Sequence, residues 1–232
     1  MAKVTDQHVG VVRGQLGPQV WKMVNGESYV AKMPHPSLKE ASPETKARRK
    51  KFGLTMKLVK MIVSLLLLKT FWKDYIMGDT DKPYTVSNKI VKINYPNTTD
   101  TGYSDLMQLG PDFGFTINDT SFTVAKTGIE VVFAAIGTGT VINPAVEVNC
   151  TLEGFIHFSD PVNTGQFEHR FLPLISAQAL LSLSNPMTFN FDLNDTQQKI
   201  FDAYTTKKVY VALVTQDTNN LPVHYSDTVR SA

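Results

Sequence analysis

The chain has 232 residues, a net charge of +2, and 42% hydrophobic and 19% charged residues. That length supports one or two domains with a real core, and the composition excludes wholesale disorder. The one cysteine, Cys150, excludes an internal disulfide, so packing must hold the fold, and a buried, inert thiol is expected.

The charge is divided along the chain. Residues Met1 to Tyr75 carry +9 and the remainder −7, so a basic arm and an acidic body can attract one another within a chain or between copies. The opening MAKVTDQHVGVV lacks the cationic start, apolar run and cleavage site of a secretory signal, so cytoplasmic synthesis without a signal peptide is expected. Met61 to Leu68, flanked by Lys60 and Lys69, is too short to cross a bilayer, and no transmembrane segment is expected.

Residues 1–41 read as an N-terminal arm. Asn25-Gly26 between VWKMV and SYVA is a strong hairpin signal, predicting a two-stranded ribbon with Val20, Trp21, Val24, Tyr29 and Val30 among its apolar positions. Such a ribbon is marginal alone and must pair with or pack on another element. Gly10, Gly14 and Gly17 lack the strand, helix and lysine of a phosphate-cradling loop and suit turns instead. Met33-Pro34-His35-Pro36-Ser37 reads as an extended linker.

Residues 42–77 predict one long helix. Ser42 suits the N-cap, Pro43 the first helical position and Glu44 the positive end of the dipole. Phe52, Met56, Val59, Val63 and Leu66 recur at helical spacing, and Ile62, Leu65 and Trp72 widen the stripe. At ~1.5 Å per residue the helix would reach about 50 Å, more than one small domain needs for its own core. The ribbon positions above, with Phe52, Met56, Val59, Val63, Leu66 and Trp72, are therefore expected to form an assembly interface with other copies. Arg48, Arg49, Lys50 and Lys51 form a basic run and are the candidates for phosphate contact, although no nucleic-acid module accompanies them. Gly53 within this pattern predicts a kink or a close crossing.

GVVRGQLGPQVW, YVAKMPHPSLKEASPETKARRKKFG and VYVALVTQDTNNLPVHYSDTV together resemble an uncharacterised family of Bacteroidetes proteins. Thr45, Arg49 and Phe52 fit that family's helix-start pattern, while its usual glutamine is missing. The resemblance covers the first third and roughly the last tenth of the chain. It implies a glycine-rich N-terminal segment, a helix and a C-terminal β domain, and it brings no catalytic residues.

The turn-rich GDTDKPYT opens the last region, 78–232, where the period becomes two residues. Strands are predicted at 89–95, 113–118, 121–125, 129–136, 146–152, 155–159, 167–174, 187–193, 209–215 and 223–229. Met187, Phe189, Phe191 and Leu193 alternate with polar residues, and 209–214 is apolar on both faces, as a central strand should be. Asp195 is expected to cap a short helix in which Ile200 and Tyr204 share a face. The fold class that follows is α+β: a β-ribbon, one long helix and an antiparallel immunoglobulin-like β-sandwich.

No motif announces a reaction. The histidines have no HExxH spacing, no serine sits in a GxSxG elbow, and Cys150 has no partner for zinc. His157 with Asp160, and Glu168 with His169, are the residues that neighbouring strands could bring together around a metal. No cofactor is expected. Asn97, Asn118, Asn149 and Asn194 each begin an Asn-x-Ser/Thr pattern, read as polar turns, and Tyr95, Tyr103, Phe113 and Phe115 are candidates for an aromatic platform. The expected function is a non-enzymatic structural protein that self-assembles into a virion, a phage component or a filament, with homo-oligomeric partners. An adhesin-like or carbohydrate-binding module is the alternative, and nucleic acid is a third candidate partner.

Overall fold

Among the described residues of the first of two units, 1–43, are four short strands: β1 (Ala2–Val4), β2 (Gly14–Leu16), β3 (Gln19–Val24) and β4 (Glu27–Lys32). They form one antiparallel sheet in the order β1-β4-β3-β2, with Val24 opposite Glu27 at the hairpin end. The hairpin is thus widened to four strands by a strand on each side. This computed structural model describes residues 2–4, 14–16, 19–24, 27–32, 40–77 and 85–231. Asn25-Gly26 and the 33–37 linker lie outside the described residues.

The second unit, 44–232, holds the helical stretch and the β-rich region together. The helix expected to run unbroken over 42–77 is divided into α1 (Pro43–Ser64) and α2 (Leu66–Met77). Hydrogen bonds at the break account for the division. The Ser64 hydroxyl donates back to the Met61 carbonyl at 2.6 Å, Leu65 N takes Ile62 O at 3.1 Å, and the next amides turn to a carboxylate on the sheet described below. Gly53 lies within the continuous α1 and marks no close crossing, since a Cβ added there would meet nothing within 4 Å. Gly53→Ala is accordingly expected to raise stability by about 1 kcal/mol, read as a higher urea midpoint at unchanged slope.

Residues 89–95, predicted as a strand, instead fall on α3 (Val86–Asn94) and its C-cap Tyr95, the helix start being capped by the Thr85 side chain accepting from Asn88 N. Val86, Ile90 and Ile93 recur at four and three residues and pack on the helical core, so the helical period wins. The predicted strand 113–118 reduces to a single bridge between Phe115 and Ser226. A Cβ on Gly114 would come within 2.1 Å of the Tyr225 carbonyl, and its amide is taken by Asp227.

The remaining strands are β5 (Thr120–Val124), β6 (Gly128–Phe133), β7 (Asn149–Pro161), β8 (His169–Ile175), β9 (Ala179–Leu180), β10 (Met187–Asp192), β11 (Tyr204–Gln216), β12 (Pro222–Tyr225) and β13 (Val229–Arg230). The short helix α4 (Asp195–Asp202) links β10 to β11. Asn194, not Asp195, is its N-cap, closing a capping box with Gln197, while Tyr204 begins β11 instead of extending the helix. The strands predicted at 146–152 and 155–159 are one strand, β7. Its break at Glu153-Gly154 vanishes because Gly154 lets the β11 backbone approach, with Tyr210 O only 2.0 Å from where a Cβ would sit.

A three-stranded sheet, β10-β6-β5, and a six-stranded sheet, β12-β11-β7-β8 with β13 on β11 and β9 on β7, share one apolar core. Val209, Val211 and Leu213 point into it, while Tyr210, Ala212 and Val214 enter a second core with α1, α2 and α3. The six-stranded sheet is therefore a middle layer, which explains why β7 and β11 are apolar on both faces. Among the described residues no helix is long and apolar enough to cross a membrane.

Candidate functional site at the helix and sheet junction

The odd-numbered side chains of β7 face the helices, and two of them are ionisable: Glu153 and His157, 1% and 3% exposed. Pleating places His157 diagonally across from His169 on β8, since Ser159 is the residue directly opposite His169. His157 Nε2 and His169 Nδ1 stand 3.1 Å apart, so one ring donates and the other accepts. The His157 ring stacks on Phe171, centroids 4.8 Å apart, and Tyr103 packs at 5.3 Å.

Helix α1 closes this site. Lys57 Nζ donates to the His169 carbonyl at 3.1 Å, Tyr103 Oη donates to Leu54 O at 3.1 Å, and Lys50 Nζ binds Glu168 at 2.8 Å. Beside the histidines a cleft of about 350 Å³ opens between α1 and β8, lined by Lys50, Lys57, Asp100 and Glu168 among others. Burial, followed by the charges of His169, Lys57 and Lys208, lowers His157 to about 3. Burial and then Lys57 lower His169 as well. Both rings are thus neutral at neutral pH and can hold one shared N–H between them.

The residues that the sequence left as a candidate metal grouping, where no metal was expected, divide. His157 and His169 meet, Glu168 goes to Lys50, and Asp160 accepts from Ser159 at 3.3 Å. Among the described residues no group of three or more His, Cys, Asp or Glu is placed to hold a metal ion. Cys150 is buried, and burial pushes its thiol up to about 12, which removes thiolate reactivity.

A second polar cluster was not legible in sequence. The buried Glu147 carboxylate accepts from the Thr215 hydroxyl and, at 2.7 Å, from Asn143 N, and it lies 3.1 Å from His224 Nδ1. The acid sits between hydroxyl and imidazole, the reverse of the order a hydroxyl nucleophile needs, so the cluster pins the 143–147 loop to β11 and β12. His224 borders a cleft of about 360 Å³ lined by Phe71, Phe113, Phe115 and Tyr225. Of the predicted aromatic platform only Phe113 and Phe115 meet there. Tyr103 is in the helical core, and Lys51 lies over the Tyr95 ring at 4.5 Å.

The expected interface residues fare unequally. Val59 and Trp72 are buried in the chain's own helical core, and Met56 and Val63 pack against it, because the six-stranded sheet offers α1 and α2 an apolar face. This corrects the expectation that the helix exceeds what its own chain can cover. Phe52 and Leu66 are exposed, and Val20, Tyr29 and Val30 are half-buried, while the side chains of Trp21 and Val24 lie outside the described residues. Among the candidates for phosphate contact, Arg48 pairs with Glu44 at 3.9 Å, Lys50 with Glu168 and Lys51 with the Tyr95 ring, while Arg49 is exposed. The chain matches no protein-family model, and no curated protein is significantly similar to it.

Proposed function

We propose that this chain is a non-enzymatic structural protein that self-assembles into a repeating particle, a virion or phage component or a filament, with the N-terminal sheet as its joining element. The observation that carries this reading is the N-terminal unit itself. Its described residues form one four-stranded sheet with no second layer within the unit, and a single sheet needs cover on at least one face. Strands β1 and β2 are its edges, and edges of this kind join chains by strand addition or exchange. The larger unit contains both hydrophobic cores, so the helix, covered by its own chain, is not part of the argument. Two antiparallel sheets sharing a core, linked through β10, α4 and β11, support an immunoglobulin-like reading of the body.

Light scattering and electron microscopy of the full chain and of residues 44–232 test the proposal. Large ordered species from the full chain and small ones from the truncated chain are expected. A full chain that stays monomeric across the concentrations tested would rule the proposal out. The aromatic cleft at Phe71, Phe113, Phe115 and Tyr225 favours a second reading as a carbohydrate-binding module, which a monomer retaining a defined glycan would support.

A further inference from the structure

We infer that the His157–His169 pair is an acid-sensitive latch that holds the first half of α1 on β8 and releases it when a second proton enters the pair. The geometry carries the argument. At 3.1 Å the two rings share one N–H, and protonating both would set two donors and two cations against each other in a buried space. The exit for that strain is on the helix side. The central sheet beneath the pair is locked by the long β7–β11 ladder, whereas above it the first half of α1 is held by Leu54 and Met56 in the helical core and by Lys50 to Glu168, Lys57 to the His169 carbonyl and Tyr103 to the Leu54 carbonyl. The adjoining cleft already admits solvent to this edge.

Every charged group facing the pair has a defined sign. Lys57 on α1 and Lys208 on β11 oppose a second proton, while Asp160 at the end of β7, Glu168 before β8 and a hydrogen bond from His169 to the Asp100 backbone favour it. Tyr103 above the pair stays neutral, its hydroxyl raised well above its ordinary value by burial and by Tyr210. A depressed folded value means that the latch contributes its full stability above the ordinary 6.5 and loses it as pH falls toward about 3. One imidazole alone then makes the open state about 25-fold more populated at pH 5 than at pH 7.

Hydrogen exchange of the full chain, corrected for intrinsic rates, tests this. Amides of residues 43–57 should lose protection by about that factor between pH 7 and 5 while those of β6 and β10 keep theirs, and His157→Phe, which preserves the stack on Phe171, should abolish the change. Unaltered protection of 43–57, or equal loss in β6 and β10, would overturn the latch. If the variant fails to fold, the wild-type proton NMR titration decides: a native His157 ring titrating near its ordinary value, with 43–57 still protected, refutes the proposal.

Discussion

Replacing Trp72 with alanine is expected to lower the unfolding free energy by about 3–5 kcal/mol and the melting temperature by about 10 °C. Trp72 is among the largest fully buried side chains and lies in the core between the helices and the six-stranded sheet. Its Nε1 donates to the Leu109 carbonyl at 2.8 Å, and Leu109 N in turn takes Thr228 Oγ1 at 2.8 Å, so one indole joins α2 to the connection ahead of β5 and to the chain before β13. Truncation leaves a cavity that rigid walls on the sheet side cannot fill, and strands the carbonyl. Trp72→Phe separates the two contributions, because it keeps most of the volume and loses the bond, at about 1–2 kcal/mol. Urea denaturation followed by circular dichroism reads both. The result also decides between two accounts of the helix: an alanine variant as stable as the wild type would make Trp72 a surface group available to other copies, and the assignment of α2 to the chain's own core would fail.

What the sequence made legible follows from how local each signal is. Strand β10 reads correctly because Met187, Phe189 and Phe191 alternate with three exposed residues, a pattern set by the pleat alone. The two-faced burial of 209–214 was visible, but not what covers the second face. That cover is the apolar stripe of α1 and α2, and pairing a stripe with a sheet separated from it by more than a hundred residues requires tertiary information that periodicity does not hold. The same gap produced the assembly interface assigned to Val59 and Trp72. At α3 the short apolar run Ile90-Val91 fits both periods, and helical spacing decides only when Val86 and Ile93 are added. The candidate site was half visible. His157 and His169 were recognised as residues that adjacent strands could bring together, yet their diagonal register and the lysines that favour their neutral forms depend on the β7–β8 pairing and the docking of α1.

Glu153 shows most directly why the helix divides, and removing it has the second large expected effect. Its carboxylate accepts from Leu67 N at 3.2 Å and Leu68 N at 3.0 Å, so a strand residue supplies the N-terminal cap of α2. Glu153→Ala leaves the buried Leu68 amide and the half-buried Leu67 amide without an acceptor, an expected loss of about 2–4 kcal/mol by urea denaturation. Burial, the largest influence, raises the Glu153 carboxyl above its ordinary 4.5 although the amides of Leu68, Leu67 and Leu66 pull it down. A raised folded value means the native chain holds this proton more tightly than the unfolded one, so the contribution is fullest below 4.5 and fades as pH rises through the raised value. His157 has the opposite slope, losing stability as pH falls below 6.5. The two trends therefore offset one another in wild-type measurements, and Glu153→Gln, which removes only the first, should fall further behind wild type as pH drops toward 4.5. A gap that stays constant with pH would mean that Glu153 does not titrate above its ordinary value in the fold. An alanine variant of undiminished stability would mean that the break at Leu65 is set by Ser64 and Leu65 alone.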